Sequence, residues 1–164
     1  MRSPVSPVAL AVGLGVVACA VSVMLYLQRG AHIELKGSVL KVRTQAMDET
    51  SSVAIIDFRF VNPSNYPFVV KQVDVTLEDK DGKMLEGMPV SELDARRLFE
   101  YYPALGQKYN DSLLMRNKLP AHESLDRMTA VRFEAPEAAV QSRRKLTVRI
   151  VDLDGASSEL QENK

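Results

Sequence analysis

Twenty consecutive residues without a charge, Val8 to Leu27 (VALAVGLGVVACAVSVMLYL), constrain this chain more than any other feature. A helix rises 1.5 Å per residue, so the run is just long enough to cross the roughly 30 Å hydrocarbon layer of a bilayer. Ten of the twenty residues are Val or Leu, each contributing roughly −0.3 to −0.6 kcal/mol to insertion near the bilayer centre. Gly13 and Gly15 are tolerated in such a helix because lipid leaves the backbone no other hydrogen-bond partner. Tyr26 suits the headgroup level and Gln28-Arg29 forms a polar stop. The expectation is a membrane contact through residues 8–27, in a single transmembrane helix over 8–28.

Two other readings use the same residues. Ala18-Cys19-Ala20 resembles a small-residue cleavage site after a ten-residue apolar stretch. Val16-Val17-Ala18-Cys19 resembles a lipobox, with Cys19 as the lipidated residue. The apolar run continues through Leu27, as stop-transfer sequence does, which favours an uncleaved anchor. The positive-inside rule is nearly silent, with Arg2 on one side and Arg29 and Lys36 on the other. A short N-terminal tail before a long domain places the tail inside and the C-terminal domain outside, in the periplasm or beyond the cell.

Residues 28–164 have the size of one domain. They carry 20 Lys and Arg (21 minus Arg2) against 21 Asp and Glu, a net charge near −1. That balance offers no steering field for nucleic acid. The chain's one cysteine, Cys19, lies in the apolar run, so the domain has neither disulfide nor thiolate chemistry. The two histidines, His32 and His122, are far apart, and no metal or cofactor site is expected.

Apolar residues along the domain recur with a period of two. Ala54, Ile56, Phe58 and Phe60 alternate with Ile55, Asp57, Arg59 and Val61; Val73, Val75 and Leu77 alternate with polar residues; so do Leu146, Val148 and Ile150. Weaker signals lie at Leu40 and Val42, Leu113 to Met115, and Val131 and Phe133. One apolar and one polar face per strand is the pattern of antiparallel sheets packed face to face. Turn formers separate the strands at Asn62–Pro67, at Asp79-Lys80-Asp81-Gly82, at Pro120–Ser124 and at Asp152–Gly155. One helix interrupts them. Ser91 with Asp94 three residues on reads as an N-cap, and Ala95, Leu98, Phe99 and Tyr102 fall on one helical face before Pro103. A shorter helix is expected to begin at Pro136-Glu137.

The fold class is therefore mainly β: a transmembrane helix followed by an immunoglobulin- or fibronectin-like antiparallel β-sandwich with a short helical insertion. The expected boundaries are a tail over 1–7, the anchor over 8–28, a linker over 29–36, the sandwich over 37–155 and a flexible polar tail over 156–164.

Several motifs invite chemistry. Asp79–Gly82 has calcium-loop residues but joins strands and lacks the distal Glu of an EF-hand, so it reads as a hairpin turn; Asp152 and Asp154 read the same way. Asn110-Asp111-Ser112 is a formal glycosylation sequon. No paired carboxylates, nucleophile triad or phosphate loop appears, and no enzymatic activity is expected. Phe99, Tyr101, Tyr102 and Tyr109 concentrate aromatic rings around the helix. Phe99 and Tyr102 belong to its packing face; Tyr101 and Tyr109, with Arg96 and Arg97, form the candidate protein-binding surface, since Tyr and Arg are enriched at interfaces. Gly13 and Gly15 are spaced too closely for a small-residue helix-pairing motif.

The segment Phe58–Pro67, an apolar strand running into Asn62-Pro63-Ser64-Asn65-Tyr66-Pro67, followed by Val73–Leu77 and Gly82, resembles the group-two late embryogenesis abundant domain (the water-stress and hypersensitive-response type). It is similar too to bacterial sandwich domains displayed behind a single membrane helix. The match covers about 25 of 164 residues. The resemblance implies a non-catalytic sandwich, in some members linked to desiccation tolerance; the departure from it is the helical insertion over 91–109. The functional expectation is a single-pass, membrane-anchored, non-enzymatic domain serving as a protein-binding or envelope-complex component. The alternative is a ligand- or lipid-binding stress-type sandwich with an apolar groove between its sheets.

Overall fold

The structure, a computed structural model, describes the backbone of residues 7–28 and 34–162 and the side chains of residues 11–24 and 34–162. It divides into two units, residues 1–32 and 33–164. Among its described residues the first holds the helix α1 (Pro7–Gln28). Its described side chains are uncharged and exposed, among them Val12, Leu14, Val16, Val17 and Met24. Among the described residues no helix is long and apolar enough to cross a membrane. The stretches 8–10 and 25–27 that complete the twenty-residue run, Tyr26 included, lie outside the described side chains, as do Arg2, Arg29 and His32.

The second unit runs β1 (Lys36–Ala46), β2 (Ser52–Val61), β3 (Phe68–Glu78), β4 (Met84–Pro89), α2 (Glu92–Tyr101), β5 (Lys118–Leu119), β6 (Ser124–Phe133), α3 (Glu137–Gln141), β7 (Lys145–Asp152) and β8 (Ser157–Gln161). The expected inner faces are correct. Ala54, Ile56, Phe58 and Phe60 join Val75, Leu77, Val131, Phe133, Leu146, Val148 and Ile150 in one buried core, because side chains alternate across a strand. Leu40 is the exception. A bulge between Val39 and Lys41 puts Val39 inside and leaves Leu40 51% exposed, as an extra residue reverses which side chains face the core.

The two separate sheets of a sandwich are replaced by one antiparallel path, β1-β2-β6-β4-β3-β7-β8, with β5 on β3. Strand β4 makes the connection. Met84–Gly87 pair with β3, whereas Met88 and Pro89 pair with Arg132 and Val131 of β6. Gly87 sits at the change of partner, where a Cβ would lie 3.0 Å from the Val131 Cβ and 3.2 Å from the Phe133 ring. A glycine lets backbone and core approach this closely. The sheet is nearly closed. Leu35 N–H donates to Ser158 Oγ at 2.7 Å, and Val39 bridges Glu162. The far end of β1 is capped by α3, since Glu137 accepts from Thr44 Oγ1 at 2.8 Å and Ala46 N–H at 3.1 Å. Edge backbone at Leu35, Val39 and Ala46, which could otherwise template pairing with another chain, is thereby engaged.

Two expected boundaries move. Leu35, placed in the linker, is 2% exposed and belongs to the core. The expected flexible tail over 156–164 contains β8, paired with β7 from Thr147–Gln161 to Val151–Ser157. Only one large apolar residue, Leu160, marks that strand, so its period-two pattern is faint in sequence. The signal at Leu113–Met115 is no strand; Leu113 is buried while Leu114 and Met115 are exposed.

The turns use their polar residues as caps. Asn62, fully buried, donates to the carbonyls of Tyr66 and Leu119 and accepts from Ser64. Asp79 accepts from the backbone N–H of Asp81 and Lys83, both at 2.9 Å, as a hairpin turn requires. In the β1–β2 turn Asp48 accepts from Ser51 Oγ at 2.6 Å and from Thr50 N–H and Oγ1. These bonds, Ser51's foremost, hold its carboxyl down to about 2, against an ordinary 3.8. A depressed folded pKa contributes stability above the unfolded pKa and loses it as pH falls through the folded one. The urea midpoints of wild type and Asp48→Asn should therefore differ at pH 5 and converge toward pH 2. A constant difference across that window would refute a titrating cap.

Candidate functional site

Helix α2 begins where the N-cap pattern places it. Ser91 Oγ accepts the Asp94 N–H at 3.1 Å and donates to the Asp94 carboxylate at 2.7 Å, satisfying a donor that the first turn otherwise leaves open. Its packing face is Ala95, Leu98, Phe99 and Tyr102, laid with Leu105 on Ile55, Met128 and Ala130. The outer face of β2 is thus covered as well as the inner, and Ile55 and Asp57 are buried with it.

Burial of Asp57 creates a feature the strand pattern did not single out. Arg43 of β1, 8% exposed at its side chain, pairs with Asp57, 6% exposed, at 2.7 Å. The same guanidinium donates to the carbonyls of Leu105 at 2.8 Å and Gln107 at 2.7 Å. It lies 5.0 Å from the Phe99 ring centroid and 5.8 Å from that of Tyr109. Asn110 Nδ2 donates to the second Asp57 oxygen at 2.9 Å, so the sequon's asparagine amide is engaged in this network. The cluster clamps the chain after α2 onto the sheet. Arg43 and Asp57 were legible only as residues of polar strand faces; a charge on each of two adjacent hydrogen-bonded strands was the available hint.

The four expected site residues separate. Arg96 donates from Nε to Glu92 at 3.1 Å, and Lys108 reaches the same oxygen at 2.6 Å. Burial pushes the Glu92 carboxyl up, but bonds from Lys108, Ser112 and Arg96 outweigh it and leave it below the ordinary range. Tyr109 stacks toward Arg43. Arg97 and Tyr101 instead line a groove of about 590 Å³ between α2 and the sheet. Partly buried Val90, Leu98 and Tyr102 form its interior, with exposed Met47 and Tyr101 at the lip. Tyr101 is 78% exposed. Charges stand along both walls: Asp94, Arg97 and Glu100 on the helix, Arg132 on β6.

Such a volume falls within the roughly 300–1,000 Å³ of ligand pockets, which are likewise mostly apolar with a few polar groups; here the polar groups are the four charged side chains of the walls. By contrast, the interior between the halves of the sheet is filled by Phe58, Phe60, Phe68 and Phe133, all 0% exposed. Among the described residues, no group of three or more His, Cys, Asp or Glu is placed to hold a metal ion. Asp152 is spent internally, accepting from the N–H groups of Val69 and Leu153.

No family model matches the chain, and no curated protein matches it. The late embryogenesis abundant resemblance therefore stays with the strand and turn that suggested it, and Asn62 accounts for that turn by local hydrogen bonding. Among solved structures, the chain is similar to the archaellum periplasmic stator protein FlaG from Sulfolobus acidocaldarius. The TM-score is 0.32 at 9% identity, over 77% of this chain and 98% of that one. It is also similar to a flagellar-like filament structure, at a TM-score of 0.34 and 13% identity over 96% and 98%. Overlap this loose carries no inference about activity or partners.

Proposed function

We propose that this chain is a single-pass membrane-anchored, non-enzymatic β domain that docks a protein partner in the groove beside α2, with the domain on the extracytoplasmic side. The observation that carries the reading is the groove itself: an apolar hollow beside an exposed tyrosine, on a domain whose interior is already filled. Aromatic anchors set in apolar surroundings with charged rims are the anatomy of protein interfaces. The packed interior speaks against the ligand- or lipid-binding alternative, which requires space between the sheet halves. The anchor part of the reading rests on α1, whose sequence is apolar on every side; such a helix is buried in protein or in lipid.

A photo-crosslinking residue at position 101 in the full-length chain, in its native membranes, should capture a defined partner. The same residue at Tyr66, 69% exposed in the β2–β3 turn, should not. Tyr101→Ala should weaken that association by about 10-fold or more, the loss expected of an interface anchor, with the circular dichroism of the domain unchanged. Equal capture from both positions would sink the assignment. Alkaline carbonate extraction should leave the full chain in the membrane pellet and release a chain lacking residues 1–28.

A further inference from the structure

The walls of the groove carry two charges with different status from the rest. Arg97 is paired with Asp94 at 3.4 Å, and Asp94 is further engaged by Ser91. Arg132 on the sheet wall and Glu100 on the helix wall are exposed, and among the described residues neither side chain has a hydrogen-bond or ion-pair partner. The groove is thus an apolar trough with an unanswered cation on one side and an unanswered anion on the other.

Resting on the docking reading above, we infer that the groove takes an amphipathic protein segment whose apolar residues fill the trough, with an acidic residue facing Arg132 and a basic residue facing Glu100. Opposite single charges on opposite walls give a bound segment one favoured orientation, because reversing it sets like charges against each other. Apolar fit supplies affinity and the two rim charges supply the direction. Met47 at the lip, unbranched and 43% exposed, can adjust to more than one apolar side chain.

A random peptide library panned against the full-length protein in nanodiscs tests this with defined probes. Enriched peptides should combine apolar residues with an acid at one flank and a base at the other. Arg132→Glu should weaken them about 5- to 10-fold, since rim charges act modestly, and replacing the peptide's acid by lysine should restore binding to that variant. Glu100→Lys should behave reciprocally. Peptides that lose binding on Tyr101→Ala yet ignore both charge reversals would overturn the orientation while leaving the docking groove intact. Peptides indifferent to Tyr101→Ala and to Met47→Asp would overturn the groove reading itself. A concentration-dependent self-association abolished by Met47→Asp would replace the foreign segment with a second copy and overturn the inference. All four positions are exposed, and matching near-ultraviolet dichroism confirms that each variant is folded.

Discussion

Arg43→Ala is expected to destabilise the β domain by about 3–5 kcal/mol, because it leaves the Asp57 carboxylate buried without its countercharge. Both partners are more than nine-tenths buried and 2.7 Å apart. The loss extends beyond the pair: the carbonyls of Leu105 and Gln107 lose their donor, and the Phe99 and Tyr109 rings lose the cation between them. The pair is not an optimised source of stability, since Arg43 Nε is buried with no partner, at a cost of roughly 1–3 kcal/mol. The double variant Arg43→Met/Asp57→Leu should therefore recover most of the lost stability while loosening the chain after α2. Urea midpoints of the two single variants and the double close the cycle. A single-variant loss below about 1 kcal/mol would show the pair to be solvated. Hydrogen exchange over residues 103–110 reports the clamp separately and should rise even where stability is recovered.

Phe133→Ala should cost about 3–5 kcal/mol, as large-to-small changes in a close-packed core do. For a domain of this size that lowers Tm by roughly 10–20 °C. Phe133 is fully buried, and its ring reaches Gly87, where β4 passes from β3 to β6. The cavity should therefore open at the junction joining the two halves of the sheet. Gly87→Ala probes the same contact from the other side. Alone it forces Val131 and Phe133 to give by a few tenths of an ångström; in the Phe133→Ala background the added methyl enters the cavity. The two changes should couple favourably, with a double-variant loss smaller than the sum of the singles. Strict additivity would show that the Phe133 ring does not limit the crossover.

The large local regularities of this protein were legible in one dimension. Strand faces follow from alternation, so the buried positions of Ala54–Phe60, Val75–Leu77 and Leu146–Ile150 needed no knowledge of their partners. The Ser91 cap and the Ala95, Leu98, Phe99 and Tyr102 face are set within a few residues of chain, and both stand in the structure. Of the candidate site, Arg97 and Tyr101 were reachable as residues left off that face. Arg96 and Tyr109 look equivalent in sequence, yet lie with Glu92 and Arg43.

What only the tertiary structure decided concerns contacts across long chain separations. Alternation gives a strand two faces but cannot say whether the polar one meets water. Here α2 and the segment after it cover that face, turning Arg43 and Asp57 from surface charges into a buried clamp. The same limit hid β8, whose ordering depends on pairing with β7 and closing against β1, and the single sheet path, which depends on β4 changing partners at Gly87. Local periodicity is a property of neighbouring residues; desolvation and closure are properties of what the rest of the chain lays over them.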